Sequence, residues 1–158
     1  MTASDHARFL ALAVAEATRS ASTAGGPFGA LVVKDGVVLA TGSNRVTLDL
    51  DPTAHAEVVA IRAACHALSD FALRGCTLYA SCEPCPLCLS ASYWARLDAI
   101  YFAASRDDAA RAGFDDAFLY GELDKSPAER ALPVRRIDTT GAQEPFEAWS
   151  RNAQRVEY

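Results

Sequence analysis

Two short clusters constrain this chain more than anything else in it. They are His55-Ala56-Glu57 and, about 30 residues later, Pro84-Cys85-Pro86-Leu87-Cys88. Cysteines three apart near a helix start lie on one face and can grip one ion. Backbone N–H groups and the helix dipole at such a start favour the thiolate that a metal requires. Pro84 suits a helix beginning, where no intrahelical bond needs its missing N–H. The cysteine pair supplies two tetrahedral positions, and His55 supplies a third through a neutral imidazole. Three protein ligands plus water is the arrangement of catalytic zinc, whose bound water has a pKa of about 7 in the best-studied enzymes, whereas structural zinc usually has four protein ligands. Zn2+ is therefore the expected cofactor.

Glu57 stands two residues from His55, and on a regular helix their side chains diverge by about 200°. The two need not bind one ion together. Glu57 is better suited to proton transfer beside the metal, a role worth roughly 10² to 10⁴ in rate. The alternative is a structural zinc in a non-catalytic binding module, with Cys82 or Cys76 as fourth ligand. Glu57 would then have no task. Cys65, Cys76 and Cys82 otherwise read as buried thiols, and His6 and His66 as histidines without visible partners.

The rest of the chain must fold so that these clusters meet. Ser4 or Asp5 can cap a first helix running to about Arg19, with Phe9, Leu10, Ala13, Val14 and Ala17 at helical spacing. Gly25-Gly26-Pro27-Phe28-Gly29 breaks the chain. Ala30 to Val33 and Val37 to Ala40 follow as strands around Asp35-Gly36, a hairpin signal. A helix is expected from near His55 to Leu68, a strand over Thr77 to Ala80, and a helix over Cys85 to Ala95. Ala99 to Ala103 reads as a buried strand from its continuous apolar character. Short helices are expected between Asp107 and Leu123, a last strand over Val134 to Ile137, and a closing helix over Phe146 to Arg155. Helices alternating with strands imply a mixed sheet covered on both faces, a three-layer α/β/α sandwich. The expectation is one domain spanning residues 1 to 158.

Composition narrows the function. The chain is 51% apolar with a net charge of −5, the balance of a globular protein. Phosphate-rich partners are normally held by a basic patch, so a nucleic-acid partner is not expected. No stretch approaches the roughly 18 to 20 apolar residues that span a bilayer, and Met1 to Arg8 lacks a signal-peptide core. Clustered cysteines, odd in number, fit metal ligation in a reducing cytosol. A cytoplasmic location without membrane contact is expected.

The ordered pair His-x-Glu and Pro-Cys-x-x-Cys is the zinc-deaminase signature. The chain resembles the cytidine-deaminase-like superfamily along nearly its full length, and within it the bacterial guanine deaminases. The segments that carry the resemblance are Gly25 to Ala30, Asp51 to Glu57, Ser81 to Cys88, Tyr93-Trp94-Ala95-Arg96, Ala112 to Asp116, and Glu157-Tyr158. The first three are shared in some form with deaminases of cytosine or tRNA adenosine, which stand as the alternative substrates; the others look particular to the guanine branch. The resemblance implies hydrolysis of guanine to xanthine and ammonia, as in purine catabolism, with side activity on triazines such as ammeline. It implies that Asn44, Phe28, Ala56, Trp94 and Tyr158 bind the base. It also implies that Asp116, with Asp115 as the register alternative, is a second acid beside Glu57. A homodimer that exchanges its last helix follows from resemblance alone. Leu87 stands where methionine is common, a swap of similar volume, and Thr139 to Glu144 departs from the family pattern.

Overall fold

The computed structural model describes all 158 residues, which divide into two compact units, Met1–Ala117 and Phe118–Tyr158. In the first, helix α1 (Ala3–Ala21) precedes a hairpin of β1 (Gly26–Lys34) and β2 (Val37–Asn44). A one-turn helix α2 (Val46–Asp49) leads to α3 (Ala56–Leu68), β3 (Cys76–Cys82), α4 (Pro86–Trp94), β4 (Ala99–Ala104) and α5 (Arg106–Arg111). Helix α6 (Ala117–Leu123) begins at the boundary between the units, and α7 (Glu144–Arg151) lies in the second.

The sheet order is β2-β1-β3-β4; β1 is antiparallel to both neighbours and β3 runs parallel to β4. The mixed sheet separates two cores. Alternate residues of one strand feed opposite faces. Ala30, Val32 and Leu78 pack with Ala56, Ala60, Ile61 and Ala64 of α3, whereas Leu31, Val33 and Tyr79 pack with Phe9 and Ala13 of α1. This is the α/β/α sandwich the alternation predicts.

Local chemistry explains most boundaries. Thr2, rather than Ser4 or Asp5, caps α1. Its Oγ1 accepts from the Asp5 N–H, and the Asp5 carboxylate accepts from the Thr2 N–H at 2.9 Å, a reciprocal capping box. Asp35 and Gly36 both have positive φ (50° and 77°), the geometry a two-residue hairpin turn requires. Two glycines let the helices close on the sheet. A Cβ at Gly29 would fall 2.5 Å from the Ala13 carbonyl oxygen of α1, and one at Gly42 would clash with the Ala56 carbonyl and lie 2.6 Å from the Ala60 nitrogen of α3.

Three expectations are corrected. Pro86, not Pro84, occupies the first turn of α4, after Cys85 as N-cap. Strand β4 forms as predicted but is the outer strand, with Tyr101 and Phe102 exposed. Continuous apolar character does not distinguish an edge strand from a central one. Residues 134 to 137 form no strand. Val134 and Ile137 flank two arginines there, and no strand pairs beyond β4. In the second unit α7 spans fewer residues than predicted, Trp149 and Tyr158 meet edge to face at 6.2 Å, and no residue from 118 to 158 is buried. No helix is long and apolar enough to cross a membrane.

Candidate active site

Two helix starts meet at one end of the sheet. His55 is the N-cap of α3 and Cys85 the N-cap of α4, both with extended backbones (ψ 153° and 169°). A pinned loop delivers His55. The Arg45 N–H donates to the Ala54 carbonyl at 2.9 Å, and Asp51 Oδ1 accepts from both the Thr53 N–H and the Thr53 hydroxyl. Cys85 follows β3 through Glu83 and Pro84, with the Glu83 N–H held by the Ala104 carbonyl at 2.9 Å.

The three candidate ligands form a tight triangle. Cys85 Sγ and Cys88 Sγ are 3.7 Å apart, and His55 Nδ1 lies 3.5 Å from the first and 3.4 Å from the second. Tetrahedral zinc with bonds of about 2.3 Å to sulfur and 2.0 to 2.1 Å to nitrogen requires separations of about 3.8 and 3.6 Å. The donors therefore fit such an ion in both chemistry and spacing. No other group of His, Cys, Asp or Glu makes such a cluster. Cys82 does not join it: its thiol donates to the Ser105 carbonyl at 3.4 Å, and Cys76 lies at the far end of β3.

The triangle's electrostatics suit metal capture. A hydrogen bond from Cys88 and another from His55 lower the Cys85 thiol to about 4, overcoming its burial. Cys88 is pushed up, because it holds the proton shared with Cys85 and is buried. The Cys85 contact raises His55. An arriving dication replaces these protons as the partner of both sulfurs.

Glu57 stands in the first turn of α3, 7% exposed, and burial raises its carboxyl above the ordinary range. The 200° divergence from His55 expected on a regular helix does not apply, since His55 lies outside the helix. Both side chains line a cavity of about 510 Å³, within the size range of small-molecule sites. Asn44, at the end of β2, lines it as well; its Oδ1 accepts from the Val46 N–H at 3.2 Å, which fixes the carboxamide. Phe28 meets Phe114 edge to face at 5.0 Å, and the pair forms an aromatic wall.

The two adjacent acids differ. Asp115 is exposed and its carboxylate accepts from the Ala117 N–H at 2.9 Å, capping α6. Asp116 is half-buried in the cavity wall, and burial together with Cys85 raises its carboxyl. Ala56 is wholly buried behind His55. Trp94 ends α4, is 64% exposed, carries the Arg96 guanidinium near its ring and does not line the cavity. Tyr158 belongs to the second unit. Sequence reasoning did not single out Glu83, Arg106 or Phe114 as wall residues. Phe114 and Glu83 fell within segments that carry the resemblance, Ala112 to Asp116 and Ser81 to Cys88, but Arg106 had no signal, since a charged residue in a first turn is commonplace.

A paired-cysteine helix start facing a His-x-Glu helix start across a mixed sheet defines a zinc-dependent deaminase domain. Residues 3–104 match the cytidine and deoxycytidylate deaminase zinc-binding region, and the chain belongs to that family. It is 51% identical to the guanine deaminase of Bacillus subtilis over 98% of this chain and 99% of that one. The X-ray structure of a guanine deaminase from Bacillus subtilis superimposes with a TM-score of 0.95 at 50% identity, over 100% and 99% of the two chains. The tRNA-specific adenosine deaminase of Aquifex aeolicus is 41% identical but over only 61% of this chain and 64% of its own. A guanine deaminase from Nitrosomonas europaea matches at 31% identity and a TM-score of 0.64, over 68% and 63%.

Proposed function

We propose that the chain hydrolyses guanine to xanthine and ammonia. The observation that carries the reaction class is the His55, Cys85 and Cys88 triangle opening beside a buried Glu57. The substrate choice rests on similarity to the guanine deaminase of Bacillus subtilis over 98% of this chain, whereas the match to the adenosine deaminase covers 61% of it.

The imidazole and two thiolates would hold zinc, which when bound supplies the Lewis acidity that makes water a nucleophile near neutral pH. Glu57 takes a proton from the attacking water as oxygen bonds to C2 of guanine. It returns that proton to a ring nitrogen, then carries the proton of the new C2 hydroxyl to the amino group, so that the C2–N bond breaks, ammonia leaves and C2 becomes a carbonyl. Water's oxygen ends on C2, so guanine and water balance xanthine and ammonia. A raised carboxyl suits a group that must both accept and donate protons near neutrality. The wall of Phe28 and Phe114 packs against the ring, Asn44 reads a polar edge, and Asp116 accepts from an N–H of the base and relays protons. Ala56 lies under the base site.

Residues 1 to 158 then serve as one deaminase domain in a homodimer, with α7 exchanged between chains. The wholly unburied second unit, with Leu132, Ile137, Phe146, Val156 and Tyr158 exposed, supports that assembly, which light scattering of the purified protein tests. The five free cysteines agree with a reducing, cytoplasmic setting. Ammeline, whose ring resembles the pyrimidine part of guanine, is a further substrate. The deciding experiment incubates zinc-loaded protein separately with guanine, ammeline, cytosine, adenine and tRNA. Xanthine formed from guanine at the highest kcat/KM is expected. Ammonia from adenine or tRNA with none from guanine would overturn the substrate and keep the reaction class.

A further inference from the structure

The cavity wall has an uneven charge. Four carboxylates line it, from Glu57, Glu83, Asp115 and Asp116, and Arg106 is the one Lys or Arg among them. Arg106 opens α5 at the end of β4, and its backbone N–H donates to Glu83 Oε2 at 3.2 Å. That bond ties the start of α5 to the loop carrying Cys85. Of the two adjacent acids, Asp115 is engaged by the Ala117 N–H, which leaves the Asp116 carboxylate the freer to meet a ligand.

Ionised, Asp116 sits in difficult company. His55, Glu57, Cys82, Glu83, Cys85, Arg106 and Asp115 are the titratable and charged groups that share its cavity. Burial, the Cys85 sulfur and Asp115 favour its protonated form, and Arg106 opposes them. A guanidinium remains charged at any working pH. We propose that Arg106, the one Lys or Arg on this cavity, acts as a positioning residue that keeps Asp116 ionised, ready to accept from an N–H of the base. The proposal rests on the role given to Asp116 above, and it does not require Arg106 to touch the substrate.

The test is the pH profile of kcat/KM for guanine, which reports groups of the free enzyme. In Arg106→Gln the acidic limb should move to higher pH by about one unit, a roughly tenfold loss on that limb, with zinc content unchanged. Arg106→Lys should bring the limb back, and Arg106→Met, uncharged but of similar length, should repeat the glutamine result. Arg106→Gln added to Asp116→Asn should cost little beyond Asp116→Asn alone, because coupled residues are not additive. If Asp116→Asn abolishes the limb while Arg106→Gln and Arg106→Met leave it in place, the proposal fails and the role of Asp116 stands. If Asp116→Asn keeps both the limb and the activity, the role of Asp116 fails and the proposal goes with it.

Discussion

The two faces of the sheet are built from different materials. Against α3 the core is aliphatic and rich in alanine, with Ala30, Ala56, Ala60 and Ala64 beside Val32, Ile61, Leu73 and Leu78, and Gly42 beneath Ala56 and Ala60. Against α1 it is aromatic: Phe9 meets Tyr79 at 5.0 Å, Tyr79 stacks on Tyr101 at 5.5 Å, and His6 Nδ1 bonds the Tyr79 hydroxyl at 2.8 Å. Small residues let a helix axis approach the sheet closely, and that approach sets where the helix start points. Gly29 lets α1 approach as closely, but no residue of α1 lines the cavity. The α3 face therefore fixes the position of His55 and Glu57, while the α1 face mainly supplies stability.

The sharpest break of this comparison is at the ligands. Cys85→Ala or Cys88→Ala should lower zinc affinity by more than the 10- to 100-fold that outer-shell partners carry and abolish turnover, as metal analysis and ammonia release would report. Glu57→Gln comes next. It should keep zinc and lose roughly 10² to 10⁴ in kcat. Its effect on stability has the opposite sign. Burial raises the Glu57 carboxyl, so the zinc-free wild type loses stability as pH climbs from the usual glutamate value of 4.5 through the raised one. The glutamine variant escapes that loss. Zinc-free Glu57→Gln should melt with the wild type below that value and above it toward neutral pH; equal melting temperatures at pH 7 would contradict the buried carboxylate.

Much of this was legible in the sequence because it is local chemistry. Capping, an Asp-Gly turn and paired cysteines each act within a few residues, so the α/β/α order and the candidate zinc ligands could be read directly. The register of the second acid could not, since Asp115 and Asp116 differ only in which one caps α6. Edge against centre was equally hidden: Tyr101 and Phe102 have strand character wherever β4 sits. Arg106 gained meaning only once β4 and β3 were paired in parallel, bringing Glu83 beside it. Long-range pairing decides such matters, and hydrophobic pattern alone does not encode it.

A matched pair of glycine substitutions sharpens the contrast between faces. Gly42→Ala and Gly29→Ala each force a Cβ against a helix backbone, and each should cost about 1 to 3 kcal/mol as an overpacking change. In Gly42→Ala the strained helix is α3, so zinc affinity should fall alongside the melting temperature. Gly29→Ala strains α1, and zinc affinity per folded molecule should hold. Equal loss of zinc in both variants would mean that the metal end senses general stability rather than the seat of α3.

Tyr79→Phe should have the smallest effect. The hydroxyl bonds His6 Nδ1 across the α1 face, far from any group assigned to the metal or the base. Removing it deletes one hydrogen bond and leaves the ring contacts with Phe9 and Tyr101 intact. The expected cost is about 1 kcal/mol, or roughly 2 to 4 °C in melting temperature for a chain of this size. Zinc content and kcat/KM for guanine should match the wild type. A changed kcat/KM at full zinc occupancy would show that the aromatic face reaches the site through β3, which carries both Tyr79 and Cys82, and the division of labour between the two faces would have to be abandoned.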